Sequence, residues 1–173
     1  GKGGTGKTTF ALNLAYALSD RGDSVRLIDC DVEAPNAHLF VKPVFTEETA
    51  VTVLKPKWDG DTCVGCGRCV SACNFNALAL VKDQVLIFGE LCHACGACSY
   101  VCPCGALTES EVTVGRVQAD TRHPRLYFAR GILNIGEVLA PTVVRAAKTH
   151  TDESAINIID ASPGVACSVV EAL

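Results

Sequence analysis

The chain has 173 residues, enough for one compact domain with a small insertion, and 49% of them are hydrophobic, so a substantial core can form. Its formal net charge of −4 argues against a nucleic-acid-binding surface, and no apolar run approaches the roughly 18 residues needed to span a bilayer. Eleven cysteines and no segment resembling a signal peptide predict a soluble protein of the reducing cytoplasm, with cysteines as metal ligands. Because the chain lacks methionine and opens on Gly1, we expect a fragment truncated at both ends.

The first nine residues, G-K-G-G-T-G-K-T-T, match the phosphate-binding pattern G-x4-G-K-[ST]. In such a loop the glycines let backbone N–H groups point inward around phosphates, Lys7 reaches the β- and γ-phosphates, and Thr8 offers its hydroxyl to Mg²⁺. The predicted nucleotide-binding residues of this loop are Gly3, Gly4, Thr5, Gly6, Lys7, Thr8 and Thr9.

A helix is predicted directly after the loop, with Phe10, Leu14 and Leu18 on one face and Gly22 as its stop. The N-terminus of a helix favours an anion, as the phosphate pattern requires. The segment S-V-R-L-I-D-C-D (residues 24–31) follows as a buried strand. The strand that should precede the loop is expected to lie outside the chain.

A second lysine in the phosphate-binding loop, Lys2, indicates a particular class of nucleotide-binding protein. K-G-G-T-G-K-T (residues 2–8) resembles the deviant Walker A motif of the MinD/ParA and nitrogenase iron protein class. The resemblance implies an ATP-dependent, face-to-face homodimer in which Lys2 reaches the nucleotide of the other protomer. The alternative is that Lys2 is a solvated loop lysine.

Two aspartates stand at the end of the strand predicted at residues 24–31, in D-C-D-V-E-A-P-N (residues 29–36). Open α/β sheets bind ligands at such strand ends. The resemblance makes this segment the first switch. Asp31 would orient the attacking water or assist hydrolysis, and Asp29 would help to hold Mg²⁺ through water. A helix-capping role for one of the two is the alternative. Cys30, between them, is expected to face the core.

The middle of the chain carries two copies of C-x2-C-x2-C-x3-C, at residues 63–73 and 92–102. A proline-bounded connector with a short strand (residues 41–57) is predicted before them. A hairpin at residues 81–88, with Asp83 and Gln84 at its turn, is predicted between them. A disulfide framework belongs to secreted chains and structural zinc usually takes paired C-x2-C motifs, so the spacing favours iron–sulfur ligation.

Residues 58–108 resemble bacterial two-cluster ferredoxins, in which three cysteines of each motif bind one [4Fe-4S] cluster and the fourth binds the other. The resemblance implies two ligand sets: Cys63, Cys66, Cys69 and Cys102 for one cluster, and Cys92, Cys95, Cys98 and Cys73 for the other. Cys104 is an additional cysteine, and His93, between two ligands, can at most tune its cluster.

The last third of the chain returns to the nucleotide-binding pattern. A helix starting at Pro141 is predicted, and A-I-N-I-I-D-A-S-P-G (residues 155–164) predicts a buried parallel strand. The latter resembles a Walker B motif and second switch, with Asp160 near Mg²⁺ and the Gly164 N–H directed toward the γ-phosphate. Cys167 lies where the nitrogenase iron protein carries a cluster-bridging cysteine, although a lone thiol is favoured here.

Together these motifs resemble the MinD-superfamily P-loop ATPases that carry an inserted ferredoxin domain. The resemblance implies an α/β, parallel-sheet P-loop fold of the MinD/nitrogenase iron protein type from residues 1–57 and 109–173, with an α+β ferredoxin-like insertion at residues 58–108. It implies ATP, Mg²⁺ and two [4Fe-4S] clusters, a homodimer, and a redox partner protein or Fe–S client. We expect an ATPase whose dimer switch is coupled to electron transfer. The alternatives are an Fe–S assembly or carrier ATPase and a MinD/ParA-like positioning ATPase with structural or sensory clusters.

Overall fold

The computed structural model describes residues 4–122, 125–165 and 167–173. The helices and strands, in chain order, are α1 (Lys7–Asp20), β1 (Val25–Cys30), α2 (His38–Val41), β2 (Glu47–Trp58), α3 (Arg68–Ala72), β3 (Leu78–Val81), β4 (Gln84–Ile87), a 3₁₀ turn (Gly89–Leu91), α4 (Ala97–Tyr100), β5 (Leu107–Asp120), β6 (Leu126–Leu133), α5 (Ala140–Lys148), β7 (Ile156–Ala161) and α6 (Cys167–Ala172).

The chain divides into two compact units. The first unit comprises residues 1–51, 114–135 and 139–173, and the second comprises residues 52–113 and 136–138. Two of the boundaries between the units fall inside strands, at residues 51–52 in β2 and residues 113–114 in β5.

The main sheet has five strands in the order β2-β5-β6-β1-β7. β1 runs parallel to both neighbours, with Val25 opposite Leu126 of β6 and Ile156 of β7. β5 runs antiparallel to β6, with Val117 opposite Gly131. The sheet is therefore mixed and mostly parallel, which corrects the prediction of a parallel sheet.

Three strands were absent or too short in the sequence prediction. No strand was predicted where β6 (Leu126–Leu133) lies. Residues 41–57 were expected to contain a short strand in a connector, but β2 has 12 residues. Residues 108–117 were expected only to lead out of the insertion, but they belong to the 14-residue β5. The proline in β2, Pro56, lies two residues before the strand ends, where the loss of a backbone N–H is tolerated.

Helix α1 packs on the sheet through its small side chains. Its buried residues include Ala11, Leu12 and Ala15, which form a core cluster with Leu27 and Phe128. The predicted face was wrong in part: the side chain of Phe10 is 71% exposed and that of Leu14 is 38% exposed, while Leu18 packs against the core. Small residues on the inner face let the helix backbone approach the strands closely. The predicted stop is confirmed, because the helix ends at Asp20 and Gly22 has φ of 100°.

Helix α5 is confirmed as a helix with proline in its first turn. It buries Val143, Val144 and Ala147. The helix packs against strand β6 at Gly131. A Cβ added at Gly131 would lie 2.6 Å from Val32 Cγ1 and 3.1 Å from Val143 Cγ1, so the position has no room for a larger residue.

The second unit contains two short helices, a hairpin, a 3₁₀ turn and the adjoining parts of β2 and β5. β3 and β4 pair antiparallel, and their turn lies at Lys82 and Asp83, which have φ of 49° and 64°. The hairpin therefore begins at Leu78 and turns one residue earlier than predicted. Its core consists of five buried residues: Cys69, Leu78, Val85, Cys98 and Leu107.

Within the described ranges, every helix is too short or too polar to cross a lipid bilayer.

Candidate functional site

The phosphate-loop residues line an open cavity of about 330 Å³ in the first unit. The loop enters α1 through Gly6, whose φ of 81° lies in the left-handed region that favours glycine. The lining residues are Gly4, Thr5, Gly6, Lys7, Thr8, Thr9, Asp31, Asn36 and Pro163. The cavity thus gathers the phosphate loop, the loop after β1 and the loop after β7.

Asp160, near the end of β7, lies beside Thr8 at the start of α1. Burial raises the pKa of Asp160, whereas a hydrogen bond from the Thr8 hydroxyl and the charge of Lys7 act in the opposite direction. Its second oxygen, Oδ2, is buried and has no hydrogen-bond donor in the described part of the chain. A hydroxyl beside an unpaired carboxylate oxygen offers the hard oxygen ligands that Mg²⁺ prefers, so these residues fit the ion.

Asp29 is fully buried and organises the loop that follows β1. Its Oδ1 accepts a hydrogen bond from the backbone N–H of Asp31, and its Oδ2 accepts from the N–H groups of Asn36 and Ala37, all at 3.1 Å. Burial nevertheless raises the pKa of Asp29 to about 7, and the neighbouring Asp160 and Asp31 charges add to this effect. The structure thus gives Asp29 a loop-shaping contact that sequence reasoning missed, and its water-mediated role at Mg²⁺ stays a prediction.

Of the remaining predicted residues of this site, the structure describes Gly164. Gly164, in the loop after β7, is exposed and has φ of 101°, a conformation available to glycine without strain. Lys2 and Gly3 fall outside the described residues. Asn36 and Pro163 lie within the two predicted switch segments, but the sequence analysis gave neither a role.

The eight motif cysteines of the second unit lie around two cavities in two sets of four. Around the first stand Cys63, Cys66, Cys69 and Cys102. Around the second stand Cys73, Cys92, Cys95 and Cys98. In each set, three cysteines come from one motif and one from the other, the same grouping that the ferredoxin resemblance implied.

The backbone repeats itself in the two motifs. Gly65 and Gly67 have φ of 64° and 69°, and their counterparts Ala94 and Gly96 have φ of 53° and 72°. Gly67 and Gly96 immediately precede α3 and α4. An added Cβ would lie 3.0 Å from Asp83 Oδ1 at Gly65 and 3.0 Å from Glu109 Oε1 at Gly96, so both loops pass close to other chain segments.

Backbone N–H groups lie close to the fourth cysteine of each motif. The N–H of Ala77 donates to Cys73 Sγ at 3.3 Å. Burial alone would raise the pKa of Cys102, but N–H groups of Leu107, Cys104 and Ala106 and the Cys104 thiol lower it below its ordinary value. Such N–H donors stabilise sulfur that carries negative charge, as cluster-bound thiolate does.

Burial raises the pKa of two other motif cysteines, Cys69 and Cys98, above the ordinary value. In the described residues, no three His, Cys, Asp or Glu side chains converge closely enough for a single metal ion. Each cysteine of a [4Fe-4S] cluster binds a different iron, so four thiols around a cavity suit a cluster rather than one ion.

The other cysteines differ in environment. Cys30 faces the core as predicted, and burial raises its pKa to about 12. Cys104 Sγ lies 3.8 Å from Cys102 Sγ, at the wall of the first cavity. Cys167 is exposed at the start of α6. The exposed His93 ring stacks on Phe75, with ring centroids 3.9 Å apart, at the wall of the second cavity.

The mostly parallel sheet, its flanking helices and the phosphate loop before α1 define an α/β domain of the P-loop type. A family model described as the CobQ/CobB/MinD/ParA nucleotide binding domain matches residues 1–160. The chain belongs to this family.

Three curated relatives extend the comparison. An uncharacterized protein of Methanocaldococcus jannaschii is 29% identical over 98% of this chain and 60% of its own length. An iron-sulfur cluster carrier protein of Synechocystis is 54% identical over 21% of this chain and 10% of its own. A chloroplastic Fe-S cluster assembly factor, HCF101, of Oryza sativa is 41% identical over 32% of this chain and 10% of its own. The chain spans about 60% of the first relative and much less of the others.

Proposed function

We propose that this protein is an ATP-hydrolysing iron–sulfur protein in which a nucleotide-driven dimer switch is coupled to electron transfer through two [4Fe-4S] clusters. The observation that carries the proposal is the placement of eight cysteines in two sets of four around two cavities, in a chain that also has a P-loop site. A redox protein that docks on the closed dimer would donate or accept the electrons.

The nucleotide site has the groups that phosphoryl transfer needs, which are mainly positioning and charge stabilisation. Lys7 neutralises the β- and γ-phosphates, Thr8 and Asp160 hold Mg²⁺, and Asp31 orients the attacking water. Lys2 reaches the nucleotide of a second protomer, so that hydrolysis and dimer opening occur together. The loops that carry Asp31 and Gly164 sense the γ-phosphate, which is how nucleotide hydrolysis drives two-state switches.

The two cysteine sets would hold one cluster each. A bound cluster supplies a one-electron redox centre whose potential depends on its hydrogen bonds and solvent exposure. The chain contributes the N–H groups around Cys73 and Cys102 and the largely apolar lining formed by residues such as Trp58, Leu80 and Leu107. Four cysteines for each cavity suit resident clusters better than clusters in transit.

A second candidate, an Fe–S assembly or carrier ATPase, is favoured by the names of the Synechocystis and Oryza sativa relatives. The two functions differ in how firmly the clusters are held. A carrier would release iron to a chelator or an apo-protein client within minutes, whereas an electron-transfer protein would retain its clusters.

An anaerobic redox titration monitored by EPR, on the full-length protein with and without Mg-ATP, tests the proposal. We expect at least one cluster potential to shift by tens of millivolts, since roughly 60 mV corresponds to a tenfold change for one electron. The matched control is Lys7→Ala, which should lose nucleotide binding and therefore the shift, while keeping both EPR signals. Unchanged potentials with bound Mg-ATP would contradict coupling, and rapid loss of iron to a chelator would favour the carrier function.

A further inference from the structure

Two loops leave neighbouring strands at the same edge of the main sheet. β1 and β7 run parallel, with Cys30 opposite Ala161 as the last matched pair. The next residue on each strand is Asp31 or Ser162, so these two residues emerge side by side. Asp31 lines the nucleotide cavity, as does Pro163, the neighbour of Ser162.

A hydrogen bond joins the two loops at this point. The Ser162 hydroxyl donates to Oδ1 of Asp31 at 2.8 Å. The backbone N–H of Asp31 in turn donates to Oδ1 of Asp29 at 3.1 Å. Because its main chain and one carboxylate oxygen are both held, the second oxygen of Asp31 keeps a fixed direction.

The surrounding charge explains why a neutral donor suits this position. Asp31 is close enough to Asp29 and Asp160 for its charge to raise the pKa of both. A lysine or arginine at position 162 would pair with the Asp31 carboxylate and cancel its charge. A serine hydroxyl fixes the orientation of the carboxylate and leaves the charge in place.

We propose that Ser162 is a positioning residue for ATP hydrolysis, whose hydroxyl holds the Asp31 carboxylate so that its second oxygen accepts a hydrogen bond from the attacking water. That water attacks the γ-phosphorus, the bond to the β,γ-bridging oxygen breaks, and ADP, phosphate and a proton leave. The inference rests on the proposed function, because it requires Asp31 to orient this water. Since the bond joins the loop after β1 to the loop after β7, it also ties the two switches together.

Steady-state ATPase assays of the full-length protein with its clusters test the role of Ser162. Ser162→Ala should lower kcat roughly tenfold, the effect of losing one hydrogen bond to a charged group, and should change KM less than about twofold. Ser162→Thr, which keeps the hydroxyl, should restore most of kcat. The matched control is Ser154→Ala, because Ser154 Oγ donates to Asp152 Oδ1 at 2.7 Å on the exposed surface and should not affect kcat.

A double-mutant cycle separates positioning from a general structural effect. In an Asp31→Asn background, Ser162→Ala should cause no further loss, because the oriented carboxylate is already gone. An equal loss in both backgrounds, wild-type kcat in Ser162→Ala, or a Ser162→Thr variant as slow as Ser162→Ala would each overturn the inference. If Ser162→Ala unfolds at the assay temperature, Ser162→Cys takes its place in the same cycle. A wild-type protein that binds Mg-ATP without hydrolysing it, or an Asp31→Asn variant with wild-type kcat, would refute the proposed function itself and the inference with it.

Discussion

Replacement of Cys73 by serine tests how the eight motif cysteines are divided between the two cavities. Cys73 belongs to the first motif in sequence but lies at the second cavity with Cys92, Cys95 and Cys98. Two [4Fe-4S] clusters correspond to about eight irons per chain. If one ligand set is no longer complete, its cluster is lost and about four irons remain. We therefore expect Cys73→Ser to retain about four irons and one of the two EPR signals.

Two double variants compare the loss of two ligands from one cavity with the loss of one ligand from each cavity. Cys73→Ser combined with Cys98→Ser affects a single cavity, so about four irons should remain. Cys73→Ser combined with Cys69→Ser affects both cavities, so almost no iron should remain.

Iron and acid-labile sulfide analysis of anaerobically purified protein measures the outcome, with far-UV circular dichroism as the folding control. The reverse result, in which the Cys73/Cys69 variant keeps four irons and the Cys73/Cys98 variant keeps none, would refute the crossed arrangement. It would show that each motif binds its own cluster.

Three further predictions concern the stability of the two units. Glu137→Gln should lower the free energy of unfolding by about 3 kcal/mol, because the ammonium of Lys55, which is 5% exposed, loses its carboxylate partner 2.8 Å away. Urea unfolding followed by the fluorescence of the chain's single tryptophan measures the change, and an unchanged unfolding transition would contradict it. The guanidinium of Arg122 donates hydrogen bonds to Asp120 and lowers the pKa of this carboxyl to about 2. The resulting stabilisation is present above about pH 4 and is lost as the pH falls toward 2. In thermal-unfolding measurements, Asp120→Asn should therefore cost about 1–2 kcal/mol at pH 7 and nothing at the acid end of the range. Gly115→Ala should cost about 2 kcal/mol, since its Cβ would lie 2.5 Å from a carbonyl oxygen of β6, whereas Gly89→Ala, with no atom within 4 Å, is the neutral control in the same melting experiment.

The local motifs of this chain could be recognised because each motif is contiguous in sequence. The glycines and Lys7 of the phosphate loop, the helix after it and the spacing of the cysteines are set by neighbouring residues, and each specifies a backbone shape or a donor set. The roles of Asp31 and Asp160 were implied by the family resemblance, together with their places at the ends of apolar strands. The parallel pairing of β1 with β7 brings these strand ends together.

The missed features depend on residues that are far apart in the chain. β2 and β5 become long strands through pairing in a sheet that their own composition does not indicate, and the proline-bounded segment before Trp58 resembled a connector. The buried face of α1 was misassigned because large side chains were given more weight than Ala11 and Ala15. The bond between Ser162 and Asp31 spans 131 positions, and no short pattern contains both partners.

The three buried or half-buried carboxylates of the nucleotide site explain why its loops should respond to the ligand. Parallel pairing places Asp29 directly opposite Asp160, and Asp31 follows within two residues. Burial and mutual repulsion raise the pKa of Asp29 and of Asp160, so concentrating negative charge here costs free energy. A divalent cation beside Thr8 would offset that cost, and the gain would be largest when both loops hold their carboxylates close to it. Under the proposed function, the binding of Mg-ATP would therefore be coupled to the order of both loops, which the Ser162–Asp31 hydrogen bond joins.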